Sequence, residues 1–183
     1  VKDGRHIYKQ RYEKGNIATD LEVIGDTTET GTIVTFKPDP SIFTDTTTYD
    51  YDTLLIRLRE QAFLNAGIRV VLKDCREDHD KKETDLHFEG GIRSYVEFLL
   101  EGSKKDRLNS EVIHLSTSNS DSSAEVAFIW STGYDTKIMS FANTIHTVDG
   151  GTHEQAFKVS LARTINKYGL KFKFLKESDP RLK

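Results

Sequence analysis

Apolar residues recur along this 183-residue chain with two periods, and each marks a kind of element. A period near two marks strands and a period near 3.6 marks helices. Residues 5–12, RHIYKQRY, alternate, with Tyr8 and Tyr12 on one face and Gly15 closing the strand. Gly31-Thr32-Ile33-Val34-Thr35-Phe36 reads as a second strand, ended by Pro38 and followed by the Thr-rich loop TDTTTYD. The spacing then changes. Tyr51, Leu54, Leu55, Leu58 and Ala62 fall three or four apart and predict a helix over 51–66, with Asp50 or Asp52 as N-cap and Gly67 as its stop. IRVVLKD, from Ile68 to Asp74, follows at once as a strand, and strand, helix, strand is an α/β unit. The charged run CREDHDKKETDLH, 75–87, is a hairpin tip or loop. FEGGIRSYVEFLL predicts a shorter helix with Ile92, Tyr95, Val96 and Leu99 inward, and GSKKDRLN, 102–109, is a linker by composition. A domain boundary is placed between about Gly90 and Asn109.

The second half changes character. EVIHLST (111–117), AEVAFIWS (124–131) and KIMSFAN (137–143) are three strand candidates, joined by SNSDSS and TGYDT. Val126, Phe128 and Trp130 alternate, which predicts an antiparallel meander with one buried face. The stretch VDGGTHEQAF, 148–157, then opens a long helix that runs to Tyr168 and stops at Gly169. Phe157, Leu161, Thr164, Ile165 and Tyr168 form its inward stripe. Thr152 and Gln155 have capping-box spacing, and Glu154 in the first turn suits the helix dipole. A capping box needs neither Gly150 and Gly151 nor His153, so the glycine pair implies unusual backbone angles or a close approach.

Composition adds bounds rather than a function. The chain is 36% hydrophobic and 30% charged, which is ordinary for a globular protein with a core. Its net charge of −3 forecasts no strong electrostatic capture of nucleic acid. Cys75 is the single cysteine, so no internal disulfide forms, which fits a reducing compartment. No run approaches transmembrane length, and VKDGRHIYKQ lacks the apolar region of a signal peptide. Val1 opens the chain inside a strand reading and KESDPRLK closes it on polar residues, so the chain reads as a piece of a longer protein.

Candidate chemistry is sparse. Cys75, His79 and His87 share a charged loop with Asp74, Asp78 and Asp80, but zinc signatures need tighter spacing, which leaves a solvated loop. His146 and His153 are not a helical pair. Asp45, Asp50 and Asp52 read as helix-start capping and solvated charge. Phosphate-loop, dinucleotide and nucleophile-elbow motifs are absent. KYGLKFKFLK interleaves Lys with aromatics, as a nucleic-acid contact or as an element end with a basic outer face. An anion site at exposed helix amides is the sharper reading of the GGTHE stretch, beside the plainer one of a helix start. Spacing alone assembles no catalytic set.

FANTIHTVDGGTHEQAFKVSLARTINKYG resembles the signature segment of the B subunits of bacterial type IIA topoisomerases, DNA gyrase and topoisomerase IV. The elements that carry the likeness are Asn143, Ile145 and Thr147, then Gly150 to Glu154, then Asn166. TGTIVTFKPDPSIF, and YDTLLIRLREQAFLNAGIRVVLKD followed by HFEGGIRSYVEFL, resemble further segments of that family in the same order. The resemblance runs from about Lys2 to the C-terminus, with gyrase as the reading taken and topoisomerase IV as its close alternative. It implies an α+β chain. Residues 1–90 would be the C-terminal half of a GHKL-type ATPase domain, an α/β sandwich. Residues 91–183 would be the first part of a ribosomal-protein-like α/β transducer domain.

The same resemblance implies the site residues and partners. Thr32 matches the Thr beside the adenine, Val34 the pocket wall, and Lys2 falls near the family's Arg at the aminocoumarin-contacting rim. Here the chain is one residue longer between that position and Gly15, and a Lys lacks the planar fork of Arg. Gly150, Gly151, Thr152, His153 and Glu154 are a structural signature at a helix start, and no residue is assigned to catalysis or to a metal. The family's catalytic Glu, Mg-binding Asn, glycine-rich lid and γ-phosphate Lys match nothing between Val1 and Lys183, so the isolated chain is expected not to hydrolyse ATP. ATP and Mg2+ belong to the full-length parent. Its partners would be the A subunit, DNA and, on ATP binding, a second copy of itself, in the cytoplasm and away from membranes. A stand-alone, non-enzymatic α/β module that binds protein or RNA is the rival of a different class.

Overall fold

The computed structural model of the chain describes residues 1–76, 82–103, 105–133 and 135–182. They divide into two compact units, Val1–Leu54 and Leu55–Lys183.

The first unit is built on a four-stranded antiparallel sheet. Its strands are β1 (Lys2–Asp3), β2 (His6–Lys9), β5 (Glu22–Asp26) and β6 (Thr30–Gly31), in the order β5-β2-β1-β6. A small hairpin, β3 (Tyr12–Glu13) and β4 (Asn16–Ile17), projects between β2 and β5 in the chain, with Gly15 in its turn. The strand expected over 5–12 is thus broken in two. The strand expected over 31–36 is not formed past Gly31. A strand persists only where a neighbour accepts its hydrogen bonds, and β1 supplies partners to Thr30 and Gly31 alone. Ile33, Val34 and Phe36 are exposed on the irregular chain beyond.

The helix predicted from residue 51 is α1 (Tyr51–Leu64). Asp50 caps it by accepting from the Thr53 amide at 2.7 Å, and the chain leaves it through Gly67 at φ 80. In the second unit, β7 (Arg69–Lys73) pairs antiparallel with β8 (Glu83–His87), so the charged run contributes a strand. Val70 faces Leu86, and Asp85 takes the Arg69 guanidinium. Helix α2 (Ile92–Ser103) follows. Phe63 of α1 is the centre of the core: it stacks on Phe88 and Tyr95, with ring centroids 3.7 and 4.7 Å away, and Phe98 lies at 5.6 Å. Ala62 and Leu86 are buried with it.

Among its described residues, the 102–109 connection is tied to its neighbours. Gly102 and Ser103 finish α2, the Leu108 amide donates to the Trp130 carbonyl at 2.8 Å, and the Trp130 amide donates to Asn109 Oδ1 at 2.9 Å. Strands β9 (Ile113–Ser118) and β10 (Ser123–Phe128) form a hairpin whose turn is closed by Asn119 Oδ1, which accepts from the Asp121 and Ser122 amides. Arg93 on α2 donates to His114 Nδ1 at 3.0 Å, and His114 Nε2 meets Glu125 at 2.7 Å. Arg can only donate, so Nδ1 accepts and Nε2 carries the proton.

The third meander strand is replaced by a tight hairpin, β11 (Phe141–Ala142) and β12 (Ile145–His146). Asn143 and Thr144 form its turn with φ of 48° and 67°, the sense of a type I′ turn, so the chain reverses after two residues instead of extending the sheet. Helix α3 (Thr152–Lys171) then packs Phe157 edge-on against Phe128 of β10, centroids 5.7 Å apart. Leu161 and Ile165 turn inward as expected, but Thr164 and Tyr168 are exposed. Gly169 does not end the helix. A Cβ there would meet the Leu175 side chain at 2.6 Å, so the glycine admits the tail that folds back onto α3. Asn166 pins that tail, exchanging two hydrogen bonds with the Leu182 backbone at 2.9 and 3.0 Å.

Candidate functional site

Two groups of residues carry the functional expectations, one in each unit. In the first unit, strand pairing sets Lys2 directly opposite Gly31, one residue before Thr32. Lys2 is half-buried, and its Nζ is held by Glu29 at 2.6 Å, which draws the Glu29 carboxyl below its ordinary range. Thr32 and Val34 follow on exposed chain outside any strand, and Val34 is 74% exposed. Both side chains are exposed and do not line an enclosed pocket of their own.

In the second unit, the GGTHE start of α3 is held by side chains the sequence did not single out. Gly151 is the N-cap, in extended backbone (φ 173), and makes no side-chain cap hydrogen bond. The Thr152–Gln155 capping box is therefore not formed: the Gln155 amide bonds the Gly151 carbonyl instead, at 3.1 Å. Glu154, in the first turn, reaches sideways. Its carboxylate accepts from Ser140 Oγ at 2.8 Å and from Lys158 Nζ at 2.5 Å, and these bonds, Lys158's first, lower its pKa. Thr147 donates from both its amide and its hydroxyl to the Ser140 carbonyl, at 2.8 and 2.9 Å. His153 Nε2 lies 3.4 Å from Thr147 Oγ1.

The glycines fit this arrangement for separate reasons. Gly150 takes φ 73, the left-handed region. A Cβ on Gly151 would meet the His153 ring at 2.7 Å. An open hollow of about 650 Å³ lies beside this start, lined by Asp149, Thr152, Gln155 and Val159 among others. Its wall brings a carboxylate and no cation, and the negative charge at the helix start is already supplied by Glu154 itself. The anion-site reading draws no support from this geometry. Ser140 was missed because its partner Glu154 lies across the intervening hairpin, whereas Lys158 stands one helical turn from Glu154 at a spacing the sequence does carry.

The remaining candidates resolve individually. Cys75 is exposed, and Asp74 is taken by Arg76. His79, Asp78 and Asp80 lie outside the described residues. Among the described residues no cluster of three His, Cys, Asp or Glu side chains could hold a metal, so no Mg2+ ligand is assigned. No described helix is long and apolar enough to cross a membrane. The KYGLKFKFLK run is the end of α3 and its tail, where Lys171 Nζ lies 5.9 Å from the Tyr168 ring and 5.6 Å from that of Phe172.

Comparison with known proteins agrees along the whole chain. The DNA gyrase B protein of Staphylococcus aureus is 47% identical over 176 residues, 96% of this chain and 27% of its own. That of Bacillus mycoides is 49% identical over 181 residues, covering 99% of this chain and 44% of the relative. The chain thus spans less than half the length of these relatives. The crystal structure of the 43K ATPase domain of Thermus thermophilus gyrase B, in complex with an aminocoumarin, matches 98% of this chain and 48% of its own with TM-score 0.79 and 35% identity. The DNA gyrase B protein of Myxococcus xanthus shares the fold at TM-score 0.71 and 23% identity. This likeness bears out the expected α+β architecture, that of a gyrase B ATPase domain. The family model of DNA gyrase B matches residues 91–183, which include both the β11–β12 hairpin and the GGTHE start of α3, and this chain belongs to the DNA gyrase B family.

Proposed function

We propose that this chain is a segment of the B component of an ATP-driven type IIA topoisomerase, gyrase rather than topoisomerase IV. In this reading residues 1–90 close a GHKL ATPase domain and residues 91–183 begin the transducer. Its role is to pass the ATP-driven closure of two gyrase B copies to a DNA-cleaving core, so that one duplex moves through another. The observation that carries it is the family match over 91–183, joined to a fold likeness to the Thermus thermophilus gyrase B ATPase domain over 98% of the chain. The exposed apolar run of Ile33, Val34 and Phe36 supports it as well, since such a surface calls for cover by further protein. Thr32 and Val34 then form one wall of the adenine site and Lys2 its rim. ATP, Mg2+, DNA and the gyrase A protein belong to the assembled cytoplasmic enzyme.

Thr32→Ala in the full-length protein is expected to weaken ATP binding by up to about tenfold, the worth of one hydrogen bond. Titration calorimetry with a non-hydrolysable ATP analogue measures this, and unchanged affinity would sink the assignment. The 183-residue chain alone is expected to bind ATP too weakly to detect. Micromolar binding would contradict the view that it holds one wall of the pocket.

A further inference from the structure

We infer that Gln61 is a positioning residue that acts through the β11–β12 hairpin on the GGTHE start of α3. Gln61 is half-buried on α1, and its side-chain amide donates to the Thr144 carbonyl at 2.9 Å, across 83 positions of chain. That carbonyl belongs to the turn, where Asn143 and Thr144 both sit at positive φ. Thr144 is β-branched, and the left-handed region is strained for such a residue. Strain of this kind persists where surrounding bonds over-determine it, and the Gln61 bond is such a restraint.

The other end of the hairpin is held by α3. Ser140 and Thr147 flank the two short strands and are bonded to each other through the Ser140 carbonyl. Ser140 Oγ in turn donates to Glu154, in the first turn of α3. A hairpin with two residues in each strand has too little pairing to hold a shape by itself. Its position is set by the bonds at its two ends and by the Phe141 ring, which lies 6.4 Å from that of Tyr95 on α2, and the two end bonds are the route by which a displacement of α1 at Gln61 is delivered to α3 at Glu154. Both ends lie within the unit Leu55–Lys183. The functional half of this inference rests on the reading above, in which Gln61 belongs to the ATPase segment and α3 to the transducer. The hairpin is then a strut between them.

Gln61→Met keeps the length and bulk of the side chain and removes the donor. In the 183-residue chain, hydrogen exchange of the Thr147 and Gln155 amides is expected to quicken about fivefold, as for one lost hydrogen bond. The β9–β10 amides should keep their rates. Unchanged exchange at Thr147 and Gln155 would overturn the strut. In the full-length protein, reconstituted with gyrase A, the same variant is expected to keep its ATP hydrolysis rate and to change fewer DNA links per ATP. Equal loss of both activities, or loss of neither, would overturn the positioning role. If the unsubstituted protein showed no ATP-driven strand passage at all, the functional reading would fail, and the exchange experiment would still decide the strut.

Discussion

Gly150 and Gly151 stand side by side, yet the backbone asks different things of them. Gly150 sits at φ 73, where an L side chain is strained whatever space surrounds it, whereas Gly151 is extended and only its missing Cβ matters. Gly150→Ala is therefore expected to cost about 1–2 kcal/mol of stability. Gly151→Ala displaces the end of the flexible His153 side chain and is expected to cost less. Urea denaturation of the two variants checks the order, and equal midpoints would refute it. Glu154 adds a pH dependence. Lys158 and Ser140 hold its folded pKa below the ordinary 4.5, so the carboxylate favours the folded state above that value. The contribution falls away as pH drops from 4.5 through the lowered folded value, because protonation then removes the acceptor. Glu154→Gln is expected to flatten that part of the stability–pH curve, measured by thermal melts between about pH 3 and 6. A curve identical to that of the unsubstituted chain would mean Glu154 contributes nothing there.

Among the elements, α1 and α2 meet through stacked aromatic rings more than through an aliphatic ridge. Phe63 is 1% exposed and touches the rings of Phe88, Tyr95 and Phe98. Phe63→Ala is expected to cost about 3–5 kcal/mol, as a buried ring leaves a cavity behind. Burial above all pushes the Tyr95 hydroxyl up to about 12, and it donates to Met139 Sδ at 3.5 Å. A long bond to sulfur is weak, so Tyr95→Phe should change stability by less than about 1 kcal/mol. Comparable losses in the two variants, read by urea titration, would show that the hydroxyl matters as much as the ring stack. At α3, the spacing in the sequence predicted a helix start within one residue but not its means of support. Thr152 and Gln155 have capping-box spacing, whereas the N-cap is Gly151 and the first turn is held through the bonds of Glu154 to Ser140 and Lys158.

On the scale of the molecule, the two units differ in how much they bury. Among the described residues, the buried apolar side chains Ala62, Phe63, Leu86 and Tyr95 belong to the second unit, and only Tyr51 to the first. Local stability follows buried contact, so limited proteolysis of the chain is expected to cut within Val1–Leu54 before Leu55–Lys183. Peptide mapping of the first cleavage products tests this, and initial cuts in α2 or β9–β10 would contradict it. The sequence by itself determined helices α1, α2 and α3, the β7 strand and the β9–β10 hairpin. Their apolar spacing, Asp50 cap and Asn119 turn are local devices that act within a few residues. It also determined the family, because the run from Asn143 to Asn166 is long and specific. Only the tertiary structure decided that Ile33–Phe36 leaves the sheet, that 137–140 does not extend the meander, that Gly169 lies inside α3, and that Glu154 reaches Ser140. Each of these depends on whether a partner distant in sequence is present to accept a hydrogen bond or to fill the space of a missing Cβ, and no periodicity encodes that.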